Sequence, residues 1–385
     1  MQKLKITHII TGLNTGGAET MLYKLLSGMD REAIEPLVIS LTDIGPVGDK
    51  IKSLGVPVRA LGMRRGVPDP RGVWRLAQQL KAERPHLVQT WMYHADLLGG
   101  LAARLGGGIP VVWNIRHSNL DPEGNKRATI WTAKVCARLS HRLPVRIVCC
   151  SEASRRVHTA LGYAEDKMVV IPNGFDLAAF KPDSKARVAV REELGIYQEA
   201  LLIGLVGRFD PQKDHRNFVA AAARLRTDYT QVHFLLCGDG VNWNNAELTG
   251  WIGEAGLRQQ FHLLGRREDM PWLTAALDIS STSSSYGEGF PNVIGEAMTC
   301  GVPCAVTDVG DSAFIVGETG LVVPPRDPEA LAQAWKKLIR MGPEGRQKLG
   351  EAARKRILEN FNLPDIVARY EALYKEVVRR KQIAF

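Results

Sequence analysis

The sequence predicts an α/β protein made of two doubly wound, parallel-sheet domains, and three observations support this. With 385 residues, the chain is long for one hydrophobic core and suits two domains of ordinary size. Short β-rich runs alternate with helical segments, as in parallel sheets covered by helices. A new buried strand begins at Leu201, after a charged stretch at 181–200 that has no strand pattern and is expected to connect the two halves.

The composition is that of a globular protein, with 45% apolar and 24% charged residues. No apolar run approaches the roughly 20 residues that a membrane helix needs. The N-terminus runs directly into a strand pattern, so we expect a cytoplasmic location. The six cysteines have neither disulfide-framework nor zinc-site spacing, and we expect most of them to be small buried residues in a reducing compartment.

The net positive charge is confined to the first half of the chain. Residues 1–180 hold 24 Lys and Arg against 15 Asp and Glu, whereas residues 181–385 hold 26 of each kind. A basic half favours anionic partners, such as phosphorylated small molecules or anionic lipid. Zinc-finger, basic-zipper and aromatic RNA-platform patterns are absent from the sequence, so we expect no nucleic-acid partner.

The first strand is expected at Ile6–Ile10 and is followed by a turn that contains Gly16 and Gly17, before a helix from Thr20 to Gly28. A strand, a Gly-rich turn and a helix are the parts of a phosphate-cradling loop. The GxGxxG dinucleotide fingerprint is absent. A plain tight turn is the alternative interpretation of the paired glycines.

Further strands are expected at 35–41, 56–61, 86–90 and 110–115, with helices between them. Ligands of doubly wound sheets bind beyond the carboxyl ends of the strands. That rule selects the segments after two of these strands, which contain His94 and His117. A lone loop histidine is often an ordinary surface residue, and the residues alone leave both candidates open.

A basic amphipathic helix is expected within Asn125–Leu143, with Trp131 on its apolar side. Two interpretations are open. The apolar face packs on its own domain and the charges face water, or the helix contacts anionic lipid or a phosphorylated lipid acceptor.

In the second half, candidate ligand-binding residues follow buried strands. Arg208 and Lys213 come after the strand at 201–207, Gly238 after the strand at 232–237, and Arg266 after the run at 261–264. On an ordinary loop such cations would be solvated. Fixed cations at the carboxyl end of a buried strand suit a leaving phosphate, which gains negative charge as a bond to it breaks.

The stretch from Ser283 to Met298 combines a Gly-bracketed loop carrying Glu288 with a short apolar helix carrying Glu296. If the helix begins near Pro291, the backbone N–H groups of Asn292 and Val293 have no intrahelical partner and attract phosphate. Two carboxylates beside a helix N-terminus suit a sugar joined to a phosphate. The alternative is a solvated helix with two unrelated acids.

The run from Glu288 to Cys304, with its E-x7-E spacing, Gly-Phe-Pro insertion and Cys-Gly-Val-Pro ending, resembles the signature of retaining family 4 glycosyltransferases of GT-B fold. The resemblance covers nearly the whole chain. It implies two Rossmann-like domains facing a deep cleft, an acceptor domain at 1–180 and a nucleotide-sugar domain at 181–363. The helix at 364–385 would cross back to the first domain.

The resemblance also implies roles for the candidate residues. The Gly16-Gly17 loop would close on the donor phosphates, and His117 would face the donor sugar, with His94 as its rival. Arg208 and Lys213 would clamp the diphosphate, Glu288 would orient the sugar, and Glu296 would hold the ribose hydroxyls. The remaining donor-binding candidates are Gly238, Arg266, Gly289, Phe290, Asn292 and Val293.

Two departures from the family pattern stand near these residues. Phe290-Pro291-Asn292-Val293 replaces the commoner Phe-Gly-Leu type of sequence, and Pro291 removes one backbone donor. Lys213 is followed by Asp214 rather than glycine. Neither removes a charged group that the chemistry needs.

The expected activity is metal-independent, retaining transfer of a sugar from a nucleoside diphosphate to a glycan or a polyprenyl- or lipid-linked acceptor. No cofactor is expected, since Arg208 and Lys213 take the place of a divalent cation and no Asp-x-Asp motif ends a strand. Bacterial polysaccharide or lipopolysaccharide synthesis at the inner membrane face fits the basic first half. The alternatives are a nucleotide-sugar epimerase, a glycan phosphorylase, or a non-catalytic nucleotide-sugar-binding subunit.

Overall fold

The computed structural model describes residues 3–64, 69–120 and 126–383. The chain forms two compact units, the first from Met1–Gly174 and Leu363–Phe385 and the second from Phe175–Asn362. The chain therefore passes between units at 174/175 and again at 362/363, against expected boundaries at 180/181 and 363/364.

Among the described residues, the first unit contains a seven-stranded, wholly parallel sheet in the order β3-β2-β1-β4-β5-β6-β7. The chain order of neighbouring strands reverses between β1 and β4, and this is the point at which doubly wound sheets bind ligands. The strands are β1 Leu4–Ile10, β2 Ile34–Ser40, β3 Val58–Ala60, β4 Leu87–Trp91, β5 Val111–Ile115, β6 Arg146–Cys149 and β7 Met168–Val170. The helices between them are α1 Gly17–Gly28, α2 Gly45–Ser53, α3 Pro70–Glu83, α4 Tyr93–Leu105, α5 Arg127–Ser140 and α6 Glu152–Ala160.

The second unit repeats this plan in its described residues, with a six-stranded parallel sheet in the order β10-β9-β8-β11-β12-β13 and its reversal between β8 and β11. The strands are β8 Leu201–Val206, β9 Val232–Cys237, β10 Phe261–Leu263, β11 Ile279–Ser281, β12 Cys304–Thr307 and β13 Gly320–Val323. The helices are α7 Ser184–Leu194, α8 His215–Arg226, α9 Ala246–Glu254, α10 Met270–Ala275, α11 Asn292–Thr299, α12 Ser312–Val316, α13 Pro328–Arg340 and α14 Gly342–Asn360. Two Rossmann-like, doubly wound sheets confirm the predicted fold class.

The last helix, α15 (Leu363–Ile383), belongs to the first unit. Its Tyr370 and Tyr374 are fully buried in the core of that unit. Asn114 on β5 donates to the Tyr370 hydroxyl at 3.2 Å, and the Tyr374 hydroxyl donates to Gln89 on β4. These contacts explain why the chain returns to the first unit, as the resemblance implied.

The stretch at 181–200 differs from the expected connector. Most of it is α7, whose Arg191 is completely buried in the second unit. The charged residues concealed this helix because a charge can be buried when a carboxylate partner lies elsewhere in the chain.

The basic helix is present as α5, but the expected position of Trp131 on its apolar side is wrong. The buried face consists of small residues, including Ala133, Cys136 and Ala137, which suit close packing against α4. Trp131 is 64% exposed. It lies on an exposed face with Arg127, Lys134 and Arg138, which we call the α5 stripe. Asn125, the expected start of the helix, lies outside the described residues.

All six cysteines are buried, as expected, and no disulfide bond joins them within the described residues. Over the described parts of the chain, no helix combines the length and the apolar character that crossing a bilayer requires.

Candidate active site

The candidate site of the second unit is centred on an ion pair between Lys213 and Glu288. The Lys213 Nζ to Glu288 Oε1 distance is 2.6 Å, and the two side chains are 17% and 9% exposed. Ser284 Oγ donates to the same carboxylate oxygen at 2.7 Å. Lys213 follows β8 and Glu288 follows β11, the two strands at the reversal of strand order. The pair therefore lies where this fold class binds ligands.

Backbone contacts fasten the two loops that carry this pair. Ser283 Oγ donates to the Lys213 carbonyl at 2.7 Å, and the Ser285 N–H donates to the Gln212 carbonyl at 2.9 Å. Two hydrogen bonds therefore join the loop after β8 to the loop after β11, and these loops carry the two charged groups.

The turn after β8 is set by two aspartates. Asp210 accepts a hydrogen bond from the Gln212 N–H at 3.0 Å, which forms the short 3-10 turn Pro211–Lys213. Asp214 adopts a left-handed conformation with φ of 48° and caps α8 by accepting from the Asn217 N–H at 3.1 Å. Aspartate tolerates this conformation better than most residues and is a good N-cap. The departure from glycine at this position therefore has a structural reason.

Arg208 is placed differently from Lys213. It is 59% exposed, and its Nε lies 3.0 Å from Asp210 Oδ2. Burial raises the pKa of Asp210, but hydrogen bonds from Gln212 and Arg208 outweigh burial, and the net pKa is below the usual value. Both cations follow β8, but Arg208 is paired with Asp210, whereas Lys213 is paired with Glu288.

Gly238 has a packing role that the sequence did not reveal. A Cβ at this position would lie 2.1 Å from the Gly207 carbonyl oxygen, so only glycine lets the end of β9 approach the end of β8. The Gly238 N–H donates to the Gly265 carbonyl at 2.8 Å. Arg266, which follows, is exposed at this same edge of the sheet.

The helix that carries Glu296 is α11, with Pro291 as its N-cap and Asn292 as its first residue, one position later than a start at proline. Glu296, Asn292 and Val293 are half-buried. Phe290 is 7% exposed, and its ring packs 6.1 Å from that of Phe175. A ligand contact at Phe290 would therefore come from the backbone rather than the ring.

Gly289 and Gly310 join the Glu288 loop to the segment before α12. The Asp311 N–H donates to the Gly289 carbonyl at 3.0 Å. Gly310 has φ of 63°, and a Cβ there would lie 2.1 Å from the Glu288 carbonyl oxygen. Sequence reasoning did not assign Gly310 a role, since only the folded loops bring it against Glu288.

His215 also escaped sequence reasoning. It is 2% exposed at the start of α8, with its ring 5.3 Å from that of Phe209. Burial, and then the charge of Lys213, lower its pKa to about 4. The imidazole is therefore neutral at physiological pH and adds no charge next to the ion pair.

The remaining sequence candidates belong to the first unit, at the carboxyl edge of its sheet. Gly16 caps α1, and Gly17 is the first residue of that helix rather than part of the turn. His94 lies in the first turn of α4, where burial lowers its pKa, and His117 follows β5 with its carbonyl accepting from Ser154 Oγ at 2.8 Å.

Met92 lies at the same edge, in the segment after β4 that the sequence selected, but its backbone conformation could not be found from sequence. It joins β4 to α4 with φ of 72°, a conformation that is rare for a residue with a long side chain. Such backbone strain concentrates at functional sites. It lies at the β1/β4 reversal of strand order, which supports this edge as the ligand-binding edge of the first unit.

Comparisons with known proteins agree with this architecture. Residues 15–179 match the family described as Glycosyltransferase Family 4, and residues 200–341 match the family described as Glycosyl transferases group 1. The structure of Anabaena HepE in complex with UDP is similar, with a TM-score of 0.86 and 23% identity over 97% of this chain and 100% of that one.

Curated relatives are also similar over most of their length. UDP-Gal:alpha-D-GlcNAc-diphosphoundecaprenol alpha-1,3-galactosyltransferase of Escherichia coli is 25% identical over 98% of both chains. The putative glycosyltransferase EpsF of Bacillus subtilis strain 168 is 28% identical over 79% of both chains. The two family matches together take in most of the sequence, and the first of them ends at residue 179, just past the boundary at Gly174. The chain therefore belongs to the glycosyltransferases of these two families, with a GT-B fold.

Proposed function

We propose that this glycosyltransferase moves a hexose from a UDP-sugar to a lipid-linked glycan acceptor, with retention of configuration and without a metal ion. The observation that carries the proposal is the fixed Lys213–Glu288 pair at the β8/β11 reversal. The donor and acceptor classes are supported by the E. coli relative, whose name gives UDP-Gal and a diphosphoundecaprenol-linked sugar.

In the proposed reaction, the bond between the anomeric carbon and the diphosphate breaks as the acceptor oxygen bonds to the same face of the sugar. The acceptor proton passes to the leaving phosphate oxygen. Lys213 and Arg208 stabilise the charge that develops on the diphosphate, which a divalent cation would otherwise do. Glu288 orients the sugar, Glu296 holds the ribose hydroxyls, and His117 and the Gly16-Gly17 loop complete the proposed donor contacts.

The decisive variant is Lys213→Ala. We expect turnover to fall at least about a hundredfold, as when one oxyanion donor is removed from an active site. Arg216→Ala, which removes an exposed cation three residues away, is the matched control and is expected to keep near-full activity. Near-full activity of a folded Lys213→Ala protein would contradict the proposal. If the unpaired Glu288 prevents folding, the double change Lys213→Met and Glu288→Gln removes both buried charges together.

The finer parts of the proposal have their own measurements. Thermal-shift screening with UDP-sugars and other nucleoside diphosphate sugars identifies the donor, because a ligand of the folded state raises the melting temperature. NMR of the first-formed product distinguishes retention from inversion. Activity that persists after chelation supports metal independence, whereas activity restored only by a divalent cation contradicts it. Release of an isomerised sugar without acceptor would indicate an epimerase instead.

Membrane contact through the α5 stripe is part of the proposal. The stripe presents Trp131 together with three cations, and this combination of aromatic and basic residues suits an anionic lipid surface. Sedimentation with phosphatidylglycerol-containing vesicles should fall for Trp131→Ala with Lys134→Glu. Equal binding of the unaltered protein to phosphatidylcholine vesicles would contradict the electrostatic part.

A further inference from the structure

The first unit contains a cavity of about 460 Å³ at the amino edge of its own sheet, opposite to the carboxyl edge that carries His94 and His117. Gly108 and Pro110 precede β5, Pro144 and Val145 precede β6, and Lys167 precedes β7, so these lining residues lie at the amino ends of three neighbouring strands. Glu376, Val377 and Arg380 of α15 also line the cavity. A five-residue strand spans roughly 15 Å, which separates this edge from the one that carries His117.

The cavity is strongly basic. Its described lining includes Arg142, Arg146, Lys167 and Arg380 and a single carboxylate, Glu376. Arg146 lies 3.0 Å and Arg380 2.9 Å from the same Glu376 oxygen, so that one carboxylate is shared by two guanidinium groups. One negative charge cannot neutralise four positive charges, and a concave site concentrates the remaining positive potential.

Among the cations that line the cavity, Lys167 is bonded to the protein backbone, so the arginines are the cations that remain for a ligand. Lys167 Nζ donates to the carbonyls of Ser140, His141 and Pro144 at 3.0, 2.7 and 3.0 Å, and these three bonds use all of its protons. They fix the turn that carries Arg142. The Arg142 side chain is exposed and has no hydrogen-bond or ion-pair partner within the described part of the chain. Guanidinium groups bind phosphate oxygens in pairs.

We propose that this cavity binds a phosphate group, with Arg142, Arg146 and Arg380 as its ligands, at a site separate from sugar transfer. Two sources share this chemistry, a free phosphate compound and the headgroup of an anionic phospholipid. Arg142 follows Arg138 of the α5 stripe by four residues, and Val145 is a 40% exposed apolar residue of the lining. Basic and apolar groups side by side favour the phospholipid headgroup.

The test compares three proteins. Arg142→Glu with Arg380→Glu reverses two exposed charges of the cavity and leaves the buried core and all the proposed transfer residues unchanged. Lys337→Glu with Lys348→Glu, two exposed residues of the second unit, makes the same change in net charge elsewhere. Glu376→Gln removes the one carboxylate and is expected to strengthen phosphate binding, an effect that loss of folding could not imitate.

Two probes distinguish the sources. With vesicles of phosphatidylglycerol and phosphatidylcholine, we expect the cavity variant to lose at least about tenfold in partitioning and the control pair to stay within about twofold of the original protein. With inorganic phosphate at constant ionic strength, a rise in melting temperature that the cavity variant loses assigns the site to a free phosphate compound. If the cavity variant matches the original protein with both probes, the cavity does not bind phosphate and the inference is overturned. None of these readouts requires sugar transfer, so failure of the proposed activity is distinguishable from failure of this site.

Discussion

Ser284 orients the carboxylate of Glu288 through a hydrogen bond. It is 2% exposed, and its hydroxyl donates to the oxygen that also binds Lys213. A hydrogen bond to a charged group contributes about 1.5–3 kcal/mol, so Ser284→Ala should loosen the carboxylate and lower kcat by roughly tenfold or more. Steady-state kinetics with the identified donor measures this effect.

The matched control for Ser284 is Ser281→Ala. Ser281 is equally buried, donates to the Ala305 carbonyl at 3.0 Å and accepts from Trp335 at 3.0 Å, so its hydroxyl is occupied by partners other than Glu288. Both changes should lower the melting temperature, but only the change at Ser284 should lower kcat. A similar loss of kcat in both variants would mean that Ser284 acts through general stability alone.

Gly310 offers a second test at the residue scale. Gly310→Ala introduces left-handed strain, which costs about 1–2 kcal/mol, and a clash with the Glu288 carbonyl. Gly342 has φ of 70°, but a Cβ there would have no neighbouring atom within 4 Å, so Gly342→Ala introduces the strain alone. We expect Gly310→Ala to be the more destabilised protein in urea unfolding and to lose turnover, whereas Gly342→Ala keeps it. Equal effects would remove the loop contact as the cause.

The candidate site could be predicted from sequence only in part. The positions of Lys213 and Glu288 near strand ends follow from the local pattern, because buried strands and the Gly-rich loops after them are legible in the sequence. The roles of Ser284, Gly310 and His215 depend on segments that are far apart in the chain and meet only in the fold. Local patterns carry no information about such approaches.

At the scale of the elements, α7 is attached to the second unit through Asp278, the residue before β11. Asp278 lies 2.7 Å from both Arg187 and Arg191 and accepts from the Leu202 N–H at 2.9 Å. Arg191 is fully buried, and burial lowers its pKa despite the opposing effect of Asp278. The carboxylate thus compensates a charge that has no access to water.

Asp278→Ala should destabilise the protein by about 3–5 kcal/mol, the usual effect of leaving one partner of a buried ion pair alone. Glu329→Ala breaks an ion pair with Arg224, in which the Arg224 side chain is 45% exposed and the Glu329 side chain 60%. This change should lower the free energy of unfolding by at most about 1 kcal/mol. Urea unfolding of both variants gives the comparison. If the two losses were equal, α7 would not depend on this carboxylate.

The same elements show where sequence patterns fail. Strand positions were well predicted because a buried parallel strand is a continuous apolar run. The helix at α7 was missed because its arginines looked solvated, and Trp131 was assigned to the wrong face of α5. The face that packs against α4 is chosen by small size rather than by hydrophobicity, since two helices approach closely only through small side chains.

For the molecule as a whole, buried histidines make stability depend on pH. Burial lowers the pKa of His8 to about 3, and burial chiefly lowers those of His158 and His215 to about 4. In the unfolded chain each histidine takes up a proton below about pH 6.5, but in the folded protein His158 and His215 do so only near pH 4 and His8 only near pH 3. The three neutral histidines therefore do not reduce the free energy of unfolding above about pH 6.5. As the pH falls, that free energy decreases, by about 2 kcal/mol for each histidine at pH 5.

Asp96 acts in the opposite direction. It is fully buried, and burial raises the pKa of its carboxyl well above the usual value, although hydrogen bonds from Thr90 and the Asn114 N–H lower it. A carboxyl whose pKa rises on folding stabilises the folded protein most when the pH is below its pKa in the unfolded chain. This stabilisation is lost as the pH rises. Three histidines outweigh this one carboxyl, so the free energy of unfolding should be lower at about pH 5 than at pH 7.

Asp96→Asn should steepen that pH dependence by up to roughly 1.4 kcal/mol per pH unit, because it removes the opposing group. The exposed Asp49→Asn is the control and should leave the slope unchanged. Urea unfolding at the two pH values measures both. A protein that is as stable at pH 5 as at pH 7 would contradict the assignment of neutral, buried histidines.

The return of α15 to the first unit also affects the order in which the chain can fold during its synthesis. The second unit is complete at Asn362, before the last helix has left the ribosome. The first unit, although it begins at the N-terminus, must wait for Tyr370 and Tyr374 to fill its core. We therefore expect the unit whose synthesis begins first to complete its core last, with apolar surface exposed until Tyr370 and Tyr374 pack.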